Sequence, residues 1–186
     1  EGFNLTNSEL GDIFAVYGVT AMLAYFPGGL IADKFNPKIL IIISLVATAI
    51  GGIYLATFPG VIGLAILYAY WGITTIFLFW AGLMKSTREW GGDEAQGRAF
   101  GFLEGGRGLA AAIFASIAVW LFAQGIPTLE LINQEDRRQA LSSVIFLYTG
   151  LTFLAAISVA IWLPNNEKKD TYKPLKTSVL KMLLRL

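Results

Sequence analysis

Glu104 and Arg107 are the residues of this 186-residue chain best placed to do chemistry. They lie in Gly97-Arg98-Ala99-Phe100-Gly101-Phe102-Leu103-Glu104-Gly105-Gly106-Arg107-Gly108, which leads into a stretch without charge at 108–129. Arg107 follows Arg98 by nine residues, roughly 13 Å along a helix. That reaches towards the middle of a hydrocarbon layer about 30 Å thick. A charge at such depth is costly and marks a pathway or a binding site. The same i, i+3 spacing also allows a self-neutralising pair that holds neighbouring helices.

Two further groups accompany this pair. Trp71, Thr74 and Thr75 fall at i, i+3 and i+4, one face of a helix. Aromatic belts belong at membrane edges, so a Trp in mid-span fits a cavity wall; it equally fits a packed Trp whose N–H finds a Thr. Tyr17 lies with Thr20, Ala24 and Gly28 on one side of an earlier segment, facing either something other than lipid or a neighbouring helix. The last group is the joint Pro27-Gly28-Gly29-Leu30-Ile31-Ala32-Asp33-Lys34-Phe35-Asn36-Pro37-Lys38, which holds every charge between Ile13 and Met84.

Other chemistry is excluded by what the chain lacks. It has no Cys and no His, which removes disulfides, thiol nucleophiles, Ser-His pairs and most zinc sites. No metal and no cofactor is expected, and no nucleic-acid partner. An enzyme acting on lipid or polyprenyl substrates would want paired metal-binding carboxylates, a His dyad or a nucleophile with its base, and these are not present. The chain is therefore not read as an enzyme.

The elements that position these residues follow from run length. The chain is 55% hydrophobic and 15% charged, with no Asp, Glu, Lys or Arg in 13–32, 39–84, 108–129 or 139–166. A spanning helix needs about 20 mostly apolar residues. The run at 39–84 would be roughly 70 Å as a single helix, so it must reverse, and Thr57-Phe58-Pro59-Gly60 supplies the turn. The expectation is an all-α membrane protein, a bundle of five spans near 8–33, 38–57, 60–85, 97–123 and 137–163.

Asn7 or Ser8 can cap the first span, with Glu9 and Asp12 near its positive end. The second and fifth spans are bland and read as peripheral. The interval 85–96 reads as a charged, Gly-rich loop. Gly97, Gly101, Gly105 and Gly108 form a small-residue row against which another helix could pack. Residues 164–186 form a basic tail. Leu175, Val179, Met182, Leu183 and Leu186 share an apolar face there, as in an amphipathic surface helix.

With five spans, the joint at 34–38, the interval 86–96 and the tail lie on one side. That side carries Lys34, Lys38, Lys85, Arg88, Arg98 and six basic residues of the tail, against Arg137 and Arg138 on the other. The positive-inside rule makes the basic side cytoplasmic. The expected location is the bacterial inner (plasma) membrane, as a multi-pass protein.

The joint resembles the signature loop of the major facilitator superfamily of secondary transporters. That pattern is Gly, three residues, Asp, a basic residue, any residue, Gly and two basic residues, between the second and third helices. Gly29, Asp33, Lys34 and Lys38 match it, while Asn36 and Pro37 stand where Gly and a basic residue are usual. Asn suits a cap or left-handed position and Pro the first turn of the next helix. Gly97-Arg98 to Gly101 is also similar to members of the superfamily, and Leu103 to Gly108 looks most like bacterial carriers of organic anions and sugar acids.

The resemblance covers the whole chain and implies helices two to six of a twelve-helix fold. The first helix and the C-terminal half would then be partners missing from it, a reading that the Glu-Gly-Phe start also prompts. It implies alternating access, with substrate held between two halves that rock around it. Gly29, Asp33, Lys34 and Lys38 would form a gate, with Arg88 and Arg98 as local partners of Asp33. Arg107, Glu104, Trp71, Thr74, Thr75 and Tyr17 would line the cavity of a small anionic or sugar-like solute. Glu104 is the only carboxylate deep in a span and the candidate for coupling to a proton; sodium coupling or exchange stays open. The leading reading is a symporter of that kind; competing readings are a transporter of a different class, for drug or nutrient efflux, and a receptor or assembly subunit that binds without transport.

Overall fold

The computed structural model describes residues 2–124 and 134–165. Among these it contains five helices long and apolar enough to cross a membrane: α1 (Asn7–Lys34), α2 (Pro37–Leu55), α3 (Val61–Gly91), α4 (Gln96–Gln124) and α5 (Gln134–Trp162). The fold is all-helical, with no strand among the described residues. The tail at 166–186, with its expected amphipathic helix, lies outside them.

Local chemistry sets the helix ends. Thr6, not Asn7 or Ser8, is the N-cap of α1: its hydroxyl accepts from Glu9 N at 3.2 Å, and Glu9 Oε2 accepts from Thr6 N at 2.8 Å. The Thr-x-x-Glu capping box outcompetes the later polar residues because it satisfies two orphan N–H groups reciprocally. At the joint, Asn36 caps α2 by accepting from Lys38 N at 2.9 Å, and Pro37 occupies the first turn. Asn36 also donates through Nδ2 to Asn165 Oδ1 just beyond α5.

At the opposite end the reversal 56–60 contains Phe58 at φ 52°, and Gly60 caps α3. Phe58 packs on Phe3 at 4.9 Å between ring centres, and Arg138 lies over its ring at 5.5 Å. Arg138 Nε donates to Gly2 O at 3.2 Å, so three chain segments meet on one aromatic ring.

The third helix departs from regularity. It is α-helical at Val61–Gly72 and Ala81–Gly91 but π-helical across Ile73–Trp80. It also continues beyond Lys85 to Gly91, so much of the interval expected as a loop is helix, and only 92–95 turns the chain. Gly92 makes that turn at φ 57°, a conformation that favours glycine.

α3 is central. α1 and α2 both pack along the whole length of α3, and α4 against its basic end; α2 and α5 pair closely, and α4 also leans on α5. Gly28 of α1 fits tightly here: a Cβ on it would stand 3.1 Å from the Cα and carbonyl oxygen of Phe77.

The second helix adds a packed face to the lipid-facing one read from its sequence. A third of its most apolar stretch (33%) is buried, the largest share of the five, against 6% for α4. Leu40, Ile41, Ser44, Ala49, Gly51 and Gly52 face inward, while Ile39, Ile43, Ile50 and Ile53 are exposed. Uniform apolarity hides this two-sidedness, because in a membrane the lipid-facing and packed faces are both apolar.

Candidate functional site

The hydroxyl-rich candidates divide between two helix interfaces. Tyr17 Oη on α1 lies 3.2 Å from Thr75 Oγ1, which itself donates to Trp71 O at 2.5 Å. Trp71 and Thr74 turn instead towards α2. Trp71 Nε1 donates to Thr48 O at 3.2 Å, and Thr48 Oγ1 donates to Thr74 Oγ1 at 3.1 Å. Ser44, 1% exposed, donates to the carbonyl of Thr74 at 2.6 Å. The Trp71 N–H thus ends on a Thr backbone carbonyl, within the packing of α2 on α3.

The single face expected of Trp71, Thr74 and Thr75 presumes i, i+4 geometry. The π segment begins at Ile73, and its wider turns change the angular spacing of the side chains beyond it. Ser44 and Thr48, which hold Thr74, were outside the expected set. Their signal in the sequence was a pair of hydroxyls at i, i+4 in an otherwise aliphatic span.

Glu104 and Arg107 come together on α4, with Arg107 Nη2 at 3.3 Å from Glu104 Oε2. Neither is sealed off: their side chains are 53% and 51% exposed. Arg107 also lies over the Trp80 ring of α3, 5.3 Å from its centre. Trp80 precedes the end of α3 at Gly91 by as many residues as Arg107 follows the start of α4 at Gln96. Antiparallel neighbours joined by a short turn therefore bring the two to one level, roughly 16 Å from it. Such a guanidinium is oriented by an aromatic face and a carboxylate. The other cavity candidates sit elsewhere, at the α1–α3 and α2–α3 contacts.

The gate candidates also divide. Gly29, Asp33 and Arg88 line one cavity of about 660 Å³, together with Trp80, Lys85 and Asp93. Arg98 lines another, of about 440 Å³, with Trp90 and Phe102. Asp33 makes no hydrogen bond or ion pair among the described residues. Lys34 is exposed in the last turn of α1, and the Lys38 N–H is held by the Asn36 cap. The residue that does bridge this region is Lys85: its Nζ donates to Ala32 O at 2.9 Å. The glycine row Gly97, Gly101, Gly105 and Gly108 faces open space, with nothing within 4 Å of an added Cβ. Among the described residues it packs against no helix.

The sequence matches the Major Facilitator Superfamily over residues 1–185. The chain belongs to the major facilitator superfamily. It is thus a multi-pass membrane protein from a superfamily of transporters. The inner membrane protein YqcE of Escherichia coli K12 is 28% identical over 176 residues, 90% of this chain and 40% of the relative. The inner membrane protein YihN of the same organism is 36% identical over 122 residues, 66% of this chain and 29% of the relative. The uncharacterized protein MG294 homolog of Mycoplasma pneumoniae is 22% identical over 190 residues, 94% and 39% of the two chains. The chain therefore spans about two fifths or less of the length of these relatives. No solved structure matches it.

Proposed function

We propose that this chain acts as helices two to six of a longer secondary transporter in the bacterial inner membrane. It would move a small anionic or sugar-like organic solute by alternating access. The observation that carries the reading is Arg107, a half-exposed guanidinium within a spanning helix, steadied by Trp80 and Glu104. A cation at that depth attracts a solute anion and sets the potential of the cavity around it. The inner-membrane names of YqcE and YihN support the location. The joint at 27–38 supports rocking about a gate, with Asp33 in the last turn of α1, where a lone carboxylate is unfavourable and seeks an outside partner.

The test is flux. The complete transporter, reconstituted in proteoliposomes, should accumulate an organic anion, and Arg107→Gln should abolish that uptake. Binding without flux would favour a receptor or assembly subunit; uptake of cationic or neutral solutes unaffected by Arg107→Gln would favour another transporter class. Glu104 is the proposed proton site. Uptake by Glu104→Gln that follows the parent across pH would move the coupling to sodium or to exchange.

A further inference from the structure

We infer that Lys85 is a positioning residue of the gate, fixing the end of α1 and thereby the placement of Asp33. This rests on the reading of residues 27–38 as a gating joint. The last four carbonyls of a helix have no partner inside it. At the end of α1, Phe35 N takes up Ile31 O at 3.0 Å. The residue four beyond Ala32 is Asn36, which follows the extended Phe35 (φ −109°, ψ 157°), so its N–H does not turn back to the Ala32 carbonyl. The Ala32 carbonyl is instead taken up by Lys85, reaching across from α3.

Lys85 is well held for a long amine. Its side chain is 18% exposed, and Nζ also stands 3.9 Å from Glu89 Oε1 one turn along α3. A lysine ammonium is a compact point charge with three donors, so one group can cap a carbonyl and face a carboxylate together. It stands at the negative end of the α1 dipole, one residue from the carboxylate that this end disfavours. Lys85 thus offsets the dipole while leaving Asp33 without a local partner. Asp33, Lys85, Arg88, Glu89 and Asp93 line the same cavity, so the charge that orders α1 sits inside the space where the gate closes.

The chain contains no cysteine, which makes accessibility the direct readout. Met84→Cys places a reporter on the cavity wall of the complete transporter, from which any cysteine outside this chain has been removed. A membrane-impermeant maleimide then reports how open the basic side is. Lys85→Met is expected to raise the labelling rate at least fivefold, to the level of Asp33→Asn, with the thermal midpoint unchanged. Lys85→Arg should label within twofold of the parent, and Asp33→Asn with Lys85→Met no faster than the faster single variant. Should Lys85→Met not fold, Lys85→Gln takes its place. Parental labelling in the Lys85 variant beside raised labelling in Asp33→Asn overturns this inference and leaves the gate standing. Effects that multiply in the double variant also overturn it. Parental labelling in Asp33→Asn removes the gate and this inference with it.

Discussion

The Arg107 guanidinium lies 5.3 Å from the centre of the Trp80 ring, joining α4 to α3 at one level. The contact does two things. It lowers the cost of a charge within a span, and it fixes which way the guanidinium fork points. Glu104 at 3.3 Å completes the hold from the same helix. At half exposure the ion pair by itself adds little, of the order of 0–1 kcal/mol. The aromatic face therefore matters at least as much as the carboxylate.

Trp80→Leu is accordingly expected to weaken anion binding by the complete transporter about 2- to 30-fold, from a cation–π contact of about 0.5–2 kcal/mol. Equilibrium binding of a transported anion measures it. Parental affinity in Trp80→Leu would show that Trp80 is only packing.

Asp33→Asn should retain anion affinity within about twofold while transport falls by tenfold or more, since each 1.4 kcal/mol is tenfold. Binding and uptake measured on one preparation separate the two. Normal uptake kinetics in this variant would sink the gate.

Ser44→Ala removes the hydroxyl that donates to Thr74 O at 2.6 Å in the buried α2–α3 contact. Hydrogen bonds between membrane helices are worth about 0.6 kcal/mol on average and at most about 1.7. The expected loss of unfolding free energy is in that range, measured by denaturation in mixed micelles. No loss would mean that the Thr74 carbonyl finds another donor.

Glycine substitutions should sort by neighbour rather than by spacing. Gly28→Ala drives a methyl to 3.1 Å from the Phe77 backbone, which cannot swing aside as a side chain can. Overpacking of this kind costs about 1–3 kcal/mol. Gly101→Ala meets nothing within 4 Å, so in this chain it should cost nothing and gain helix propensity. Thermal midpoints of the two variants decide; a larger drop for Gly101→Ala would show that the row is packed in solution.

The five-span, all-helical plan was legible because lipid demands long apolar helices, and run length records that directly. The Asn36–Pro37 entry to α2 was equally legible, since a cap depends on a few adjacent residues. The cap of α1 was written in the sequence as Thr6-x-x-Glu9, but neighbouring polar residues competed for the role. The grouping of Trp71, Thr74 and Thr75 could not be read. It depends on a π segment that no local residue pattern announced, and on hydroxyls supplied by α2. The burial of α2 was hidden for a related reason, as lipid and packed neighbours select the same aliphatic residues. Lys85 was visible only as a charge, because its partner is a carbonyl, and carbonyls leave no trace in composition.

The π segment bears on how this sequence can change over generations. A π turn accommodates a residue that an α turn would not, so Ile73–Trp80 behaves like a length of helix carrying an insertion. Loss of any one codon within it would let the helix relax to the α form. The residues beyond would then keep close to their present angular positions, because the π turn has already absorbed the extra residue. Lys85 would stay by the Ala32 carbonyl and Trp80 by Arg107. Descendants of this gene should therefore tolerate a single-residue deletion within 73–80 more readily than one elsewhere in α3.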